Sequence, residues 1–252
     1  MELIWHGTAC IEAVGQAGRL LFDPFVPLEG SAVDVRLEDF DGFSDALVTH
    51  GHFDHISSIP AISARNPGMQ VWCTQTPYRT LKGKGVDEDA LHLLDYGVSF
   101  ELAGFTIRTY HGRHAVLPRA SVRRVSYALR SSARRNLPWI IRENSVCHEN
   151  GETVLYLIEE ESRRVAIMGS LNLCDDVDYP SGVDVLVLPY NGWEDNLEPA
   201  VRAIERLQPA RVLLDHYDDT FPPLTMPLDF EPILRRYPGV VEALELGKRV
   251  QV

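Results

Sequence analysis

His50-Gly51-His52-Phe53-Asp54-His55 puts three imidazoles and a carboxylate into six consecutive residues, directly after the run Asp45-Ala46-Leu47-Val48-Thr49. That run reads as a buried strand. The H-x-H-x-D-H loop therefore hangs from a strand end, where a rigid element anchors it and the loop lets its side chains converge. Buried together with nothing between them, these groups would cost about 2 kcal/mol or more for each one left unsatisfied. Neutral imidazole and carboxylate are also donors that borderline-soft cations such as zinc accept readily. The loop thus predicts a metal-holding sheet edge, with further ligands arriving from other strand ends.

The rest of the chain is compatible with such a fold. Its 252 residues are 45% hydrophobic and 24% charged, ordinary values for a globular protein able to bury a substantial core. We read residues 1–252 as one domain, with no repeat, low-complexity tract or Gly/Ser linker. The net charge of −12 argues against nucleic acid or an anionic membrane surface as a partner. Cys10, Cys73, Cys147 and Cys174 are widely spaced with no C-x-x-C pair, so neither a zinc ribbon nor a disulfide framework is expected. No secretory leader or membrane-spanning run of about 18 apolar residues is visible. A cytoplasmic protein is the expectation, with a homo-oligomer left open.

Short β-type runs dominate the first half: Leu3–Trp5, Cys10–Val14, Leu20–Asp23, Met69–Cys73, Val98–Leu102 and Phe105–Tyr110. A short helix is expected around Pro77–Leu81. Val154–Ile158 and Arg164–Met168 read as a hairpin, and Val183–Leu188 as a strand buried on both faces. Leu197, Val201, Ile204 and Leu207 recur at helical spacing after Asn196, a good N-cap. Arg211–Asp215 reads as a strand and Phe230–Tyr237 as a last helix. Hairpins followed by strand–helix–strand order point to a mixed α/β sandwich.

Two further segments repeat the pattern of a His leaving a strand end: His111-Gly112-Arg113-His114-Ala115 and Leu214-Asp215-His216-Tyr217. Together with the signature loop, Trp5-His6-Gly7-Thr8 and Leu21-Phe22-Asp23-Pro24, they make the chain resemble the metallo-β-lactamase superfamily. The resemblance is nearest to small metal-dependent hydrolases related to ascorbate-6-phosphate lactonase. It covers nearly the whole chain and implies the α/β (α+β) class, as a four-layer αββα sandwich with the metal site at one edge of two facing sheets. It implies that His50, His52 and His114 bind a first cation, with His111 as the alternative to His114. Asp54, His55 and His216 would bind a second. Asp23 is either a carboxylate orienting a ligand His or a turn cap before Pro24.

Two places depart from the family pattern. Val165-Ala166-Ile167-Met168-Gly169-Ser170 carries Ser170 where relatives place an Asp that bridges both cations. Three consequences are open: a weak or absent second cation, replacement by Asp175 or Asp176, or lost chemistry. Thr8 stands where many relatives carry His, leaving His6 as a candidate substitute.

The implied chemistry is metal-assisted hydrolysis, in which one or two divalent cations per chain lower the pKa of bound water toward ~7 and hold hydroxide as nucleophile. Zinc is the first choice of cation, with manganese, iron or nickel as alternatives. Asp54 would orient the nucleophile. The implied substrate is a small ester, lactone or phosphoester. The rival readings are a phosphodiesterase or nuclease, and a degenerate member that binds without turnover. Eight arginines and no acidic residue lie between Arg113 and Arg142. They read either as a solvated or subunit-contacting face, or as a rim, with Arg119 in it, that would grip an anionic substrate. Leu137-Pro138-Trp139-Ile140-Ile141 interrupts this run as a packed connection or dimer contact, or as a lid or lipid-touching wedge. Tyr190, Asn191 and Tyr217 are candidates for the pocket wall.

Overall fold

Alternation along the strands sorts the apolar residues onto two faces. In a computed structural model that describes residues 1–115, 126, 128, 131–190, 196–225 and 228–252, the chain forms two seven-stranded sheets. The first holds β1 (Glu2–Trp5), β2 (Ile11–Val14), β3 (Arg19–Phe22), β4 (Asp45–Leu47), β5 (Gln70–Cys73), β6 (Leu91–Leu93) and, at its far edge, β14 (Arg249–Gln251). The second holds β7 (Ser99–Leu102), β8 (Phe105–Gly112), β9 (Thr153–Glu160), β10 (Arg163–Met168), β11 (Val185–Pro189), β12 (Arg211–Asp215) and β13 (Val241–Ala243). Each sheet is antiparallel on one side and parallel on the other. The switch falls at β3 in the first, with β3 through β6 parallel, and at β10 in the second, with β10 through β13 parallel.

Leu20, Phe22 and Leu47 of the first sheet meet Tyr156, Ile158, Val165 and Val187 of the second in the central core. The alternate residues Leu155, Leu157, Ala166, Leu186 and Val212 face outward, where α5 (Leu197–Leu207) covers them. Its buried Ala200, Val201, Ile204 and Leu207 make the inward stripe that the spacing predicts. On the outer face of the first sheet, Val71 and Cys73 pack against Ile56 of α1 (Phe53–Ile56), Ile59 of α2 (Ile59–Arg65), Leu81 of α3 (Gln75–Gly83) and Ile140 of α4 (Leu137–Asn144). A short α6 (Glu231–Arg236) lies between β12 and β13. The result is the four-layer αββα sandwich expected. Strands β6, β13 and β14 and helices α1, α2 and α4 were not foreseen.

This topology gathers strand ends. β8 is antiparallel to β9, which is antiparallel to β10, so β8, β10, β11 and β12 all finish at one edge. At that edge the Tyr156 hydroxyl donates to the Val48 carbonyl at 2.7 Å. Val154 N–H donates to the Thr49 carbonyl at 2.8 Å. These bonds join the end of β4 in the first sheet to β9 in the second.

Candidate metal centre

The loop after β4 delivers His50 and His52, then turns into α1, whose first turn carries Asp54 and His55. The loop after β8 delivers His114, and His216 follows β12. Two groups form at the shared edge: His50, His52 and His114, and Asp54, His55 and His216, with the donor atoms of each group within 4.8 Å of one another. The rings of His52 and His114 lie 4.5 Å apart and those of His55 and His216 5.6 Å apart.

Thr49 and Asp23 organise this cluster. Thr49 N–H and Oγ1 donate to the two oxygens of Asp23 at 2.7 and 2.5 Å. Asp23 Oδ2 also lies 2.8 Å from His55 Nδ1, and Thr49 Oγ1 lies 3.1 Å from His50 Nδ1. With Thr49 donating its own proton to Asp23, the His50 Nδ1–H is the donor to Thr49. Both His50 and His55 then carry their proton on Nδ1 and keep the Nε2 lone pair free. Asp23, 1% exposed, thus orients a cluster histidine rather than merely capping a turn. His114 Nδ1 lies 2.8 Å from the Ala115 carbonyl, which leaves its Nε2 free as well.

Thr8, fully buried, braces the loop after β12. Its carbonyl accepts from His216 N–H at 2.9 Å, its N–H donates to Asp218 Oδ2 at 2.8 Å and its hydroxyl donates to Thr220 at 2.7 Å. Thr8 and His216 both adopt left-handed backbone, with φ of 51° and 59°. That conformation costs of order 1–3 kcal/mol for a non-glycine residue and persists where surroundings enforce it.

The electrostatics of the two groups favour neutral imidazoles beside an ionised carboxylate. Burial pushes His50 well below the ordinary imidazole range, and the neighbouring His55 and His52 push it further. Burial likewise takes His52 down to about 4 and lowers His114. Burial would raise Asp54, but His55 and His216 outweigh it and hold its carboxyl well below the usual carboxylate range. Burial would lower His216, but its hydrogen bond to Asp54 Oδ2 at 3.3 Å raises it instead. The donor atoms crowd together: His50 Nε2 lies 3.1 Å from His52 Nδ1, and His55 Nε2 lies 3.7 Å from Asp54 Oδ2. His216 Nδ1 is buried with no hydrogen-bond partner. Imidazole nitrogens and one ionised carboxylate, turned toward each other in burial, could hold a divalent cation in each group.

The other candidates lie elsewhere. His111 packs on Tyr96 at 4.3 Å, and its Nε2 lies 3.0 Å from the Gly151 carbonyl. Asp175 and Asp176 are exposed and line, with His111, a second cavity of about 470 Å³ that shares His114 with the first. Neither belongs to one of the two donor groups. His6 pairs with Glu12 at 2.9 Å, away from the cluster. Ser170 does reach it, but its Oγ accepts from Ala115 N–H at 3.0 Å. Tyr190 is buried in the outer core of the second sheet. Tyr217 packs on Trp5 at 4.9 Å and donates its hydroxyl to the Leu244 carbonyl, so neither tyrosine lines the pocket. Arg119 and Asn191 lie outside the described residues. The pocket wall is α4, a segment whose start the sequence offered as a lid or a packed connection but not as a helix. Leu137, Ile140, Ile141 and Asn144 line a cavity of about 310 Å³ ending on the six cluster residues. Their i, i+3, i+4, i+7 spacing was the available signal.

Residues 18–217 match the family model described as a beta-lactamase superfamily domain. A UPF0173 metal-dependent hydrolase of Desulfitobacterium hafniense is 27% identical over 245 residues, covering 94% of this chain and 91% of the relative. Another, from Enterococcus faecalis, is 30% identical over 227 residues, covering 88% of each. In structure the chain is similar to Igni18, a metallo hydrolase of Ignicoccus hospitalis, with a TM-score of 0.65 at 19% identity over 99% of this chain and 97% of that one. Given a family model that spans most of the sequence and a relative matched along nearly its whole length, the chain belongs to the metallo-β-lactamase superfamily, alongside the UPF0173 metal-dependent hydrolases.

Proposed function

We propose that this chain hydrolyses a small ester or lactone with the help of divalent cations, zinc being the first choice. The likeness to the ascorbate-6-phosphate lactonase branch belongs to this proposal. The observation that carries it is the pair of three-residue donor groups at the closed end of one cavity. His50, His52 and His114 would hold one cation, and Asp54, His55 and His216 the other. When bound, such cations supply Lewis-acid chemistry: they acidify water and polarise the scissile carbonyl. Asp54 gives Oδ2 to His216 and has Oδ1 left to accept a hydrogen from the attacking water. Its low proton affinity suits it to orienting that water rather than keeping the proton. Asp23 and Thr49 hold His55 and His50 in the tautomers that leave Nε2 free. The setting we infer is cytoplasmic. Among the described residues no helix is long and apolar enough to cross a membrane.

Purified protein should carry up to two equivalents of metal, and a chelator should remove both the metal and the turnover of p-nitrophenyl esters and lactones. Full turnover in protein shown to be metal-free would refute the reading. Ser170 offers a neutral hydroxyl where a bridging carboxylate would add charge, and that hydroxyl is engaged by Ala115. Ser170→Asp should therefore tighten the weaker cation about tenfold, since charge-assisted contacts are roughly twice as strong as neutral ones. Metal titration of the variant checks this, and unchanged affinity would mean that position 170 does not lie between the two sites.

A further inference from the structure

The walls of the cavity and the chemistry at its closed end differ sharply. Above the cluster stand Phe53, Leu137, Ile140, Ile141, Phe221 and Leu224, with Asn144, Ser170 and Thr225 as uncharged polar members of the lining. Among the described residues no lysine or arginine lines it. The arginines of the basic run that are described turn elsewhere. Arg113 lines the second cavity beside His111, Arg135 pairs with Glu29 at 2.6 Å, and Arg134 and Arg142 are exposed and absent from the wall. Ile141 is 67% exposed and Leu224 41% exposed, so the mouth is rimmed by large apolar side chains.

We infer that the substrate presents an uncharged, apolar acyl chain to this wall, with its scissile carbonyl over the cluster. This specificity rests on the hydrolase reading above. A cavity of about 310 Å³ sits at the small end of the ~300–1,000 Å³ range of ligand pockets. It therefore takes a short chain and not a polymer. A charge at the far end of that chain would be stripped of water among leucine, isoleucine and phenylalanine, with no charged partner among the described residues of the wall. Each methylene added along the wall should improve kcat/KM about fourfold until the cavity is filled, the gain expected for a buried CH2. Ile141 at the rim and Ile140 beneath it, buried in the outer core of the first sheet, are the specificity-determining residues.

The test compares p-nitrophenyl acetate, butyrate and hexanoate with the p-nitrophenyl monoesters of succinate and adipate on the metal-loaded enzyme. In parallel, calorimetry measures binding of neutral methyl alkyl ketones and of keto acids of equal length, which need no turnover. Expected are rising kcat/KM and ketone affinity with chain length, and at least a tenfold preference for neutral ligands. Ile141→Lys, at an exposed position that the fold tolerates, should narrow or reverse that preference. If the ketones bind as expected but no ester is cleaved, the hydrolase reading fails and the pocket assignment stands. If affinity ignores chain length, or if the ω-carboxylates bind as well as the neutral ligands, the inference is overturned.

Discussion

His114→Ala is expected to release one cation and to lower kcat/KM by about a thousandfold, while His111→Ala keeps both cations and most of the activity. The two histidines leave the same strand three residues apart but reach different surroundings. His114 sits 4.5 Å from the His52 ring and 5.0 Å from the His50 ring, with Nδ1 tied to the Ala115 carbonyl. His111 lies on Tyr96 and turns Nε2 to the Gly151 carbonyl. Removing the His114 ring takes one of three donors from a group whose other two members, His50 and His52, already repel a proton. A two-donor remnant holds a divalent cation poorly. The thousandfold figure corresponds to about 4 kcal/mol, the scale of transition-state stabilisation that a Lewis acid supplies. Elemental analysis beside steady-state kinetics checks both variants, with circular dichroism to show that each is folded. Retention of both cations by His114→Ala, with loss from His111→Ala, would reverse the assignment.

That choice shows where the sequence was legible. The loop from His50 to His55 could be read because its spacing is local: one strand end and one helical turn place all four side chains. Between His111 and His114 nothing local decides, because the answer depends on where β8 ends against β9. The long strands also read directly, Arg211–Asp215 to the residue, since burial on both faces leaves an unbroken apolar run. Strands β6, β13 and β14 are three residues each, too short for any periodicity. β14 exists because Arg249 pairs with Ile4 from the other end of the chain. Residues 137–141 read only as an apolar interruption of the basic run, yet Pro138 falls in the first turn of α4, where proline costs nothing in hydrogen bonds. Tyr217 looked like a pocket residue by adjacency to His216, but the left-handed turn there, φ 59°, precedes a side chain packed on Trp5. What escaped the sequence in each case was a partner supplied by distant chain.

Gly169→Ala should disable the centre although residue 169 offers no ligand atom. A Cβ at Gly169 would stand 2.2 Å from Thr49 Cβ and 2.3 Å from Thr49 Oγ1. Shortening Thr49 to serine or alanine gives no relief, because its own Cβ is one of the colliding atoms. Thr49 cannot easily retreat. Its N–H and hydroxyl are bonded to Asp23, and its carbonyl accepts from Val154 in the opposite sheet. The ends of β4 and β10 must therefore separate, and Asp23, His50 and His55 lose their common anchor. Overpacking of this kind costs about 1–3 kcal/mol, occasionally more, and disturbing the groups that orient metal ligands lowers affinity about 10–100-fold. Both losses should appear together in Gly169→Ala: an earlier urea midpoint and weaker binding of both cations, since His50 belongs to one group and His55 to the other. Ser170 should be displaced as well, which frees the Ala115 N–H that steadies the His114 loop. Denaturation and metal titration of the variant test the argument. A protein that binds both cations with unchanged affinity would show that the two strand ends can part without moving the histidines, and that Thr49 is not the hinge on which the site depends.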